Sequence, residues 1–161
     1  MRKEWGVEEC NFTYDMQGIG QYFKGFFPDA VPFNNQAAPI ALDRKEEEGI
    51  KYLYKDLKSQ CAFMFYTEIK ERTISIEPAL LERKFSGNGF KNLPLRQILM
   101  KERKSLRRDE VGADRGFKLL PKKLAKKYVG HSPDFWESWF YIKIFRLTKK
   151  KHKKAKGLWM I

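Results

Sequence analysis

An apolar repeat in the first half of the chain constrains the fold more than any other feature. Apolar side chains recur at intervals of three and four residues from Ile50 to Phe65, which places them on one face of a helix. This pattern predicts a helix from about Glu46 to Lys70. A helix with one long apolar face buries that face against other elements, so we expect a packed domain.

Other helices and several short strands are predicted around this one. Helices are expected from Gly18 to Phe27, from Pro94 to about Lys104, from Lys122 to Val129 and from Ser132 onwards. Segments rich in β-branched and aromatic residues predict short strands at 10–14, 31–33, 73–76, 107–111 and 117–120. Strands that alternate with helices favour an α/β domain, and no linker divides it.

The charge of the chain points to a polyanionic partner. Its 161 residues include 33 Lys and Arg against 20 Asp and Glu, a formal net charge of +13. Such a field favours nucleic acid first and an acidic membrane surface second. No stretch approaches the roughly 20 apolar residues that span a bilayer, and the first residues lack a signal-peptide core. We therefore expect a cytoplasmic protein.

The basic charge is densest towards the end of the chain. Residues 143–156 contain eight Lys or Arg and no acid. Lysine runs are often solvated ends that bind nothing in particular, but this one follows a packed helix, which favours phosphate contact. The residues expected to bind DNA are Lys149, Lys150, Lys151, Lys153 and Lys154.

Two classes of chemistry have no motif in the sequence. It contains no GxxxxGK[ST] segment, so nothing in it predicts a site for a nucleoside triphosphate. No motif for a nucleophilic Ser or Cys is present either. A nucleotide-driven motor is therefore not expected in this chain.

Asp15 is the first candidate for chemistry. It stands at the end of the first predicted strand, and open α/β sheets bind ligands at the carboxyl ends of their strands. The alternative is that Asp15 caps the helix that follows.

Asp134 and Glu137 are the second candidates, at the start of the last predicted helix. Ser132 suits the N-cap and Pro133 the first helical position, and the helix dipole favours the anion of Asp134, so structural reasons alone explain these residues. Glu137 lies three residues later on the same face. Such oxygen ligands suit hard cations such as Mg²⁺.

Three segments in order resemble the C-terminal part of phage terminase large subunits. Residues 11–20, NFTYDMQGIG, are similar to the family's strand, acid and turn D-x-x-G-x-G. Residues 54–61, YKDLKSQC, leading to ISI at 74–76, resemble the helix and strand between its acidic sites. Residues 130–138, GHSPDFWES, are similar to its G-x-S-P-D-F-x-(D/E) motif. The resemblance extends from about residue 7 to 147.

The resemblance implies an RNase H-like mixed sheet flanked by helices, over 1–147, followed by a basic tail over 148–161. It implies an endonuclease that cuts double-stranded DNA with two Mg²⁺ or Mn²⁺ ions and little sequence preference. By analogy Asp15 is the second acid of the site and Asp134 the third, with Glu137 as the rival for the third position. The implied partners are DNA, the terminase ATPase part, the small terminase subunit and the portal, inside a bacterial host cell.

One departure from the family bears on activity. The family's first acid lies on an earlier strand, so the domain is expected to be incomplete at its N-terminus and to cut slowly or not at all by itself. A non-catalytic nucleic-acid-binding protein, whose acids are only structural, is the alternative. A scaffold that contacts an acidic partner protein is a third possibility compatible with the charge.

Overall fold

Two short parallel strands lie near the start of the chain. The computed structural model describes residues 6–41, 49, 53–110 and 116–148. Strand β1 (Thr13–Asp15) pairs with strand β2 (Val31–Phe33), with Asp15 opposite Phe33. Between them lie a 3₁₀ helix (Gly18–Tyr22) and the one-turn helix α1 (Phe23–Phe26). The crossover brings both carboxyl ends to the same edge.

Helix α2 (Leu57–Lys70) forms the centre of the domain. Its N-cap is Asp56, whose side chain accepts a hydrogen bond from Ser59 N at 2.7 Å, a common way to satisfy a free amide at a helix start. Leu57, Cys61 and Phe65 lie on its buried face. The apolar repeat of the sequence is thus buried in the core.

A hairpin and two further helices follow α2. Helix α3 (Pro78–Glu82) leads into strands β3 (Lys84–Gly87) and β4 (Phe90–Pro94), which pair antiparallel. Helix α4 (Leu95–Glu102) begins directly after β4 and continues as a 3₁₀ turn, Arg103–Ser105. This arrangement brings the buried end of α4 towards the last helices.

The last three helices complete the core. They are α5 (Lys122–Val129), α6 (Asp134–Tyr141) and α7 (Ile144–Leu147). Helix α6 packs on α2, where the Phe65 ring meets those of Trp136 and Trp139 at 5.2 and 5.8 Å. The Trp136 indole N–H also donates to the carbonyl of Leu99 on α4, at 2.6 Å. Burial of such large aromatic side chains is a main source of stability.

Several local expectations differ from the structure. Residues 73–76 form no strand, and 107–111 and 117–120 contribute, among the described residues, only the bridge Arg108–Leu119 and a bridge from Tyr54 to Phe117. No strand was expected at the positions of β3 and β4. Helix α2 starts at Leu57, and the predicted start near Glu46 lies outside the described residues.

The architecture is mixed α/β, as the sequence predicted at the level of class. The described residues form two separate two-stranded sheets, with helices packed around them. Within the same ranges, no helix is both long and apolar enough to cross a membrane.

Candidate functional site

A tight turn follows Asp15 because of two glycines. Gly18 has a φ of +61°, a conformation that glycine adopts readily. At Gly20 the constraint is steric, because a Cβ atom there would lie 1.6 Å from the carbonyl oxygen of Asp15. The segment from 15 to 20 therefore folds back on the end of β1 and fixes the backbone of the acid.

The carboxylate of Asp15 is held by neutral donors. Oδ1 accepts from Gln17 N at 3.0 Å, and Oδ2 accepts from Asn35 Nδ2 at 3.0 Å and from the Tyr141 hydroxyl at 3.4 Å. Within the described part of the chain, no lysine, arginine or histidine pairs with this half-buried acid. The carbonyl oxygen Oδ1 of Asn35 is buried nearby and accepts no hydrogen bond.

The parallel pairing of β1 and β2 brings Asn35 and Asp15 together. Each follows or ends one strand of the parallel pair, so both lie at the carboxyl edge of that small sheet. Ligand-binding groups of open α/β sheets gather at such edges.

Tyr141 joins this edge to helix α6. Its ring stacks on that of Phe33 at 4.3 Å, and its hydroxyl reaches Asp15. Burial raises the pKa of Tyr141, and the negative charges of Glu137 and Asp15 raise it further. Glu137 is one turn before Tyr141 on α6, so both acids lie within electrostatic range of one hydroxyl group.

Glu137 is a buried acid held by two lysines. Lys58 Nζ lies 2.7 Å from Oε1, and Lys122 Nζ lies 2.7 Å from Oε2. Only 9% of the Glu137 side chain and 18% of the Lys58 side chain are exposed. The two cations come from the start of α2 and the start of α5, so this carboxylate ties three helices together.

Asp134 shares one of those lysines but is itself exposed. Its Oδ1 accepts from Ser132 Oγ at 2.6 Å and from Lys122 Nζ at 3.0 Å. Burial would raise its pKa, but the hydrogen bonds from Ser132 and Lys122, with the charges of Lys122 and Lys126, outweigh that effect and lower it. The Ser132 side chain therefore serves Asp134, and the N-cap position of α6 falls to Pro133.

A second buried glutamate replaces the missing cap of α6. Glu102, at the end of α4, is 0% exposed and accepts from Trp136 N at 2.9 Å. Its other oxygen lies 3.6 Å from Nδ1 of the buried His131. Burial raises the pKa of Glu102 to about 7, and the charges of Asp134 and Glu137 act in the same direction, against the backbone amides of Trp136 and Phe135.

The structure therefore brings the candidate acids together in pairs. Asp134 and Glu137 share Lys122, while the Tyr141 hydroxyl donates to Asp15 and is influenced by the negative charge of Glu137. Asp134 is seven residues before Tyr141, about 10 Å along the helix axis, and its side-chain partners are Ser132 and Lys122 rather than the groups around Asp15. No group of three or more His, Cys, Asp or Glu side chains with metal-binding geometry occurs among the described residues.

Four side chains around the candidate acids were not predicted from the sequence: Asn35, Lys58, Lys122 and Tyr141. Asn35 lies two residues after a predicted strand, a position similar to the one that singled out Asp15. Lys58, Lys122 and Tyr141 carry no such signal, since they meet the acids through tertiary packing. The tail residues Lys149, Lys150, Lys151, Lys153 and Lys154 lie outside the described residues.

Comparisons with protein-family models, with characterised proteins and with solved structures found no match to this chain.

Proposed function

We propose that this chain is the metal-dependent endonuclease part of a phage DNA-packaging terminase, with an RNase H-like ancestry of its α/β fold. Its substrate is double-stranded DNA, cut with little sequence preference. One observation carries the proposal: Asp15 has no basic partner among the described residues and lies beside the unpartnered carbonyl oxygen of Asn35. Carboxylate and amide oxygens are the ligands that Mg²⁺ and related hard cations prefer.

The residues around Asp15 fit a divalent cation. An anionic oxygen without a counter-charge and a buried acceptor without a donor are both costly, and a cation relieves both at once. Bound Mg²⁺ or Mn²⁺ ions would activate a water molecule and stabilise the leaving oxygen. Asp15 and Asn35 would hold the first ion.

Glu137 is better placed than Asp134 as the next acid. Both Glu137 and Asp15 lie close enough to Tyr141 to raise its pKa, whereas Asp134 lies at the opposite end of α6. Lys58 and Lys122 hold the Glu137 carboxylate, and a bound cation would compete with these two lysines for it. Asp134 then positions Lys122 through its own hydrogen bond.

The phosphate contacts and the other partners follow from the same proposal. The tail lysines between 149 and 154 neutralise backbone phosphates of the duplex. The other partners are the terminase ATPase part, the small terminase subunit and the portal, in the cytoplasm of a bacterial host.

Metal binding tests the proposal directly. Titration of the chain with Mn²⁺, followed by NMR line broadening, should broaden signals of Asp15, Asn35 and Tyr141 first, because paramagnetic broadening falls steeply with distance. Asp15→Asn should weaken this binding at least about tenfold, the loss of one charged ligand on a hard cation. Asp29→Asn removes the same charge from an exposed acid and serves as the control. Equal binding by both variants would contradict the site.

Cleavage of supercoiled plasmid is the second readout. With Mg²⁺ or Mn²⁺ we expect slow cutting that Asp15→Asn abolishes and Glu137→Gln reduces more than Asp134→Asn does. Cutting that survives both Asp15→Asn and Glu137→Gln would place the chemistry elsewhere.

A second candidate function is favoured by the ion pairs. Lys58 and Lys122 satisfy Glu137, and Lys122 with Ser132 satisfies Asp134, so these acids are stable without any metal. A basic protein whose acids only hold its helices together would bind nucleic acid without cutting it. Duplex binding with no Mn²⁺ broadening at Asp15 and no cleavage in either metal would establish this alternative.

A further inference from the structure

Helix α5 carries a dense set of cations on its exposed side. Four of its eight residues are lysine, and three of them, Lys123, Lys126 and Lys127, are exposed and form no ion pair with any other described residue. The fourth, Lys122, points to Glu137 and Asp134. The helix therefore begins at the acidic site and extends its positive charge away from it.

A second basic segment packs against α5. The 3₁₀ turn after α4 contacts α5, and it exposes Arg103 and Lys104. Arg107 follows and places its guanidinium 4.8 Å from the ring centroid of Tyr128, on α5. The two segments thus form one surface, which we call the basic surface; its members are Arg103, Lys104, Arg107, Lys123, Lys126 and Lys127.

The burial of the local acid leaves this surface positive. Between residues 101 and 108 the one acid is Glu102, which is 0% exposed and turned towards α6. The next acid, Asp109, is buried and pairs with Lys118 at 3.0 Å. Six cations without acidic partners among the described residues make a site for a polyanion.

The aromatic geometry selects the kind of polyanion. Single-stranded nucleic acid binds where exposed rings offer faces for base stacking. On the basic surface the aromatic ring is that of Tyr128, which is 53% exposed, and the Arg107 guanidinium covers one of its faces. Six cations with a single ring among them suit the phosphate backbone of a duplex better than a series of stacked bases.

We propose that the basic surface binds the phosphate backbone of double-stranded DNA and leads it to the acids at the start of α6. This inference rests on the proposed function for the choice of double-stranded DNA, but it does not depend on DNA cleavage. Lys126 links the two regions, since it is one turn from Lys122 and its charge acts on Asp134. Both the basic surface and the tail lysines would then bind the duplex.

The test measures binding without cleavage. A labelled duplex of about 20 base pairs is titrated with the full chain in EDTA, by fluorescence anisotropy at several salt concentrations. The variant Lys123→Gln, Lys126→Gln, Lys127→Gln should lose about 10- to 100-fold in affinity near 0.1 M salt and flatten the log–log salt slope by about 2 to 3, at about 0.9 per phosphate contact.

A matched control separates the surface from net charge. Lys24→Gln, Lys84→Gln and Lys91→Gln remove the same three charges from exposed positions on α1, β3 and β4. This control should keep its slope within about one unit of the parent. Equal losses in both variants, each shown by circular dichroism to be folded, would overturn the proposal.

Two competitors identify the partner. Polyglutamate of equal charge should compete weakly and single-stranded DNA should bind less tightly than duplex. Equal competition by polyglutamate would assign the surface to an acidic protein, and tighter binding of the single strand would contradict a backbone-only contact. Because EDTA removes metal chemistry, loss of this surface's binding is distinguishable from failure of the metal site at Asp15.

Discussion

One buried glutamate lies on helix α6 and another packs against its first turn, and the two are stabilised in different ways. Glu137 lies on the helix and meets two lysines, each at 2.7 Å. Glu102 reaches the first turn of α6 from α4 and accepts a backbone N–H, with His131 as its nearest basic group. Each would be costly to bury without its partners.

The difference lies in where the compensating charge comes from. The lysines bring whole positive charges to Glu137, so the pair is an electrostatic tie between helices. Glu102 uses the partial positive charge of a helix N-terminus, which is weaker and falls off within the first turn. Its pKa of about 7 follows from that shortfall. Glu102 therefore gains a proton near neutral pH.

The largest effect is expected from Lys58→Met, which takes one of two cations from Glu137. Leaving a buried carboxylate partly uncompensated should lower the free energy of unfolding by about 3 kcal/mol. Urea unfolding measures this. The double change Lys58→Met, Glu137→Met should recover most of the loss, since an apolar pair replaces the ion pair. A loss under about 1 kcal/mol in the single variant would mean that Lys122 alone suffices.

Glu102→Gln should change the pH dependence of stability. The folded protein holds the proton of Glu102 up to about pH 7, while the unfolded chain releases it near its ordinary value of 4.5. Stability from this group is therefore fully present below pH 4.5 and falls as the pH rises towards 7, by at most about 1.4 kcal/mol per pH unit.

The glutamine variant should lack that decline between pH 5 and 7.5. Unfolding free energies of both proteins across this range measure it, with Glu82→Gln on the surface as a control. His131, Asp134 and Glu137 face or act on Glu102 and stay unchanged in the comparison. Parallel curves for the parent and Glu102→Gln would refute the raised pKa.

Tyr141→Phe should have a smaller effect. It removes the hydroxyl that reaches Asp15 at 3.4 Å but keeps the ring stacked on Phe33. We expect a loss of about 1 kcal/mol, typical of one hydrogen bond. A thermal melt measures it, and Tyr66→Phe at an exposed position is the control. A loss above about 3 kcal/mol would show that the hydroxyl organises more than Asp15.

Asp134→Asn should have the least effect on stability. Its side chain is 67% exposed, and its pair with Lys122 is of the surface kind. We expect a change below about 0.5 kcal/mol at pH 7. Because the pKa of Asp134 is lowered, its stabilising contribution should be lost only as the pH falls below its ordinary value of 3.8, the reverse of Glu102. A large loss at pH 7 would place Asp134 with the buried acids.

The sequence predicted the helices better than the rest of the fold. The helices at 95–102 and 122–129 lie where helices were expected, from Pro94 to about Lys104 and from Lys122 to Val129, and a proline occupies the N-cap of each. The hairpin was missed because β3 and β4 are largely exposed and show no clear alternation. Residues 73–76 have the composition of a strand but find no partner strand.

Only the residues of the candidate site that carry a signal in the local sequence could be predicted. Asp15 was identified from its place after a strand, and Asp134 with Glu137 from their helical spacing. The partners of Glu137 were not, since Lys58 is 79 residues away and meets it through the packing of α2 on α6. The sequence also assigned the helix cap to Ser132, because no local rule points to Glu102, 34 residues before the amide that it accepts from.

The close approach of Gly20 to the carbonyl of Asp15 has a consequence for a library of variants. Any other amino acid at position 20 needs room that the backbone of Asp15 occupies, so the loop must open and the acid must move with it. Position 20 should therefore tolerate no replacement in a screen for function, although its residue contributes no side chain. Gly25 should accept many replacements in the same library, because nothing lies within 4 Å of where its Cβ would be. A survey of tolerated substitutions would thus point to Asp15 through the intolerance of Gly20, a residue that has no side chain.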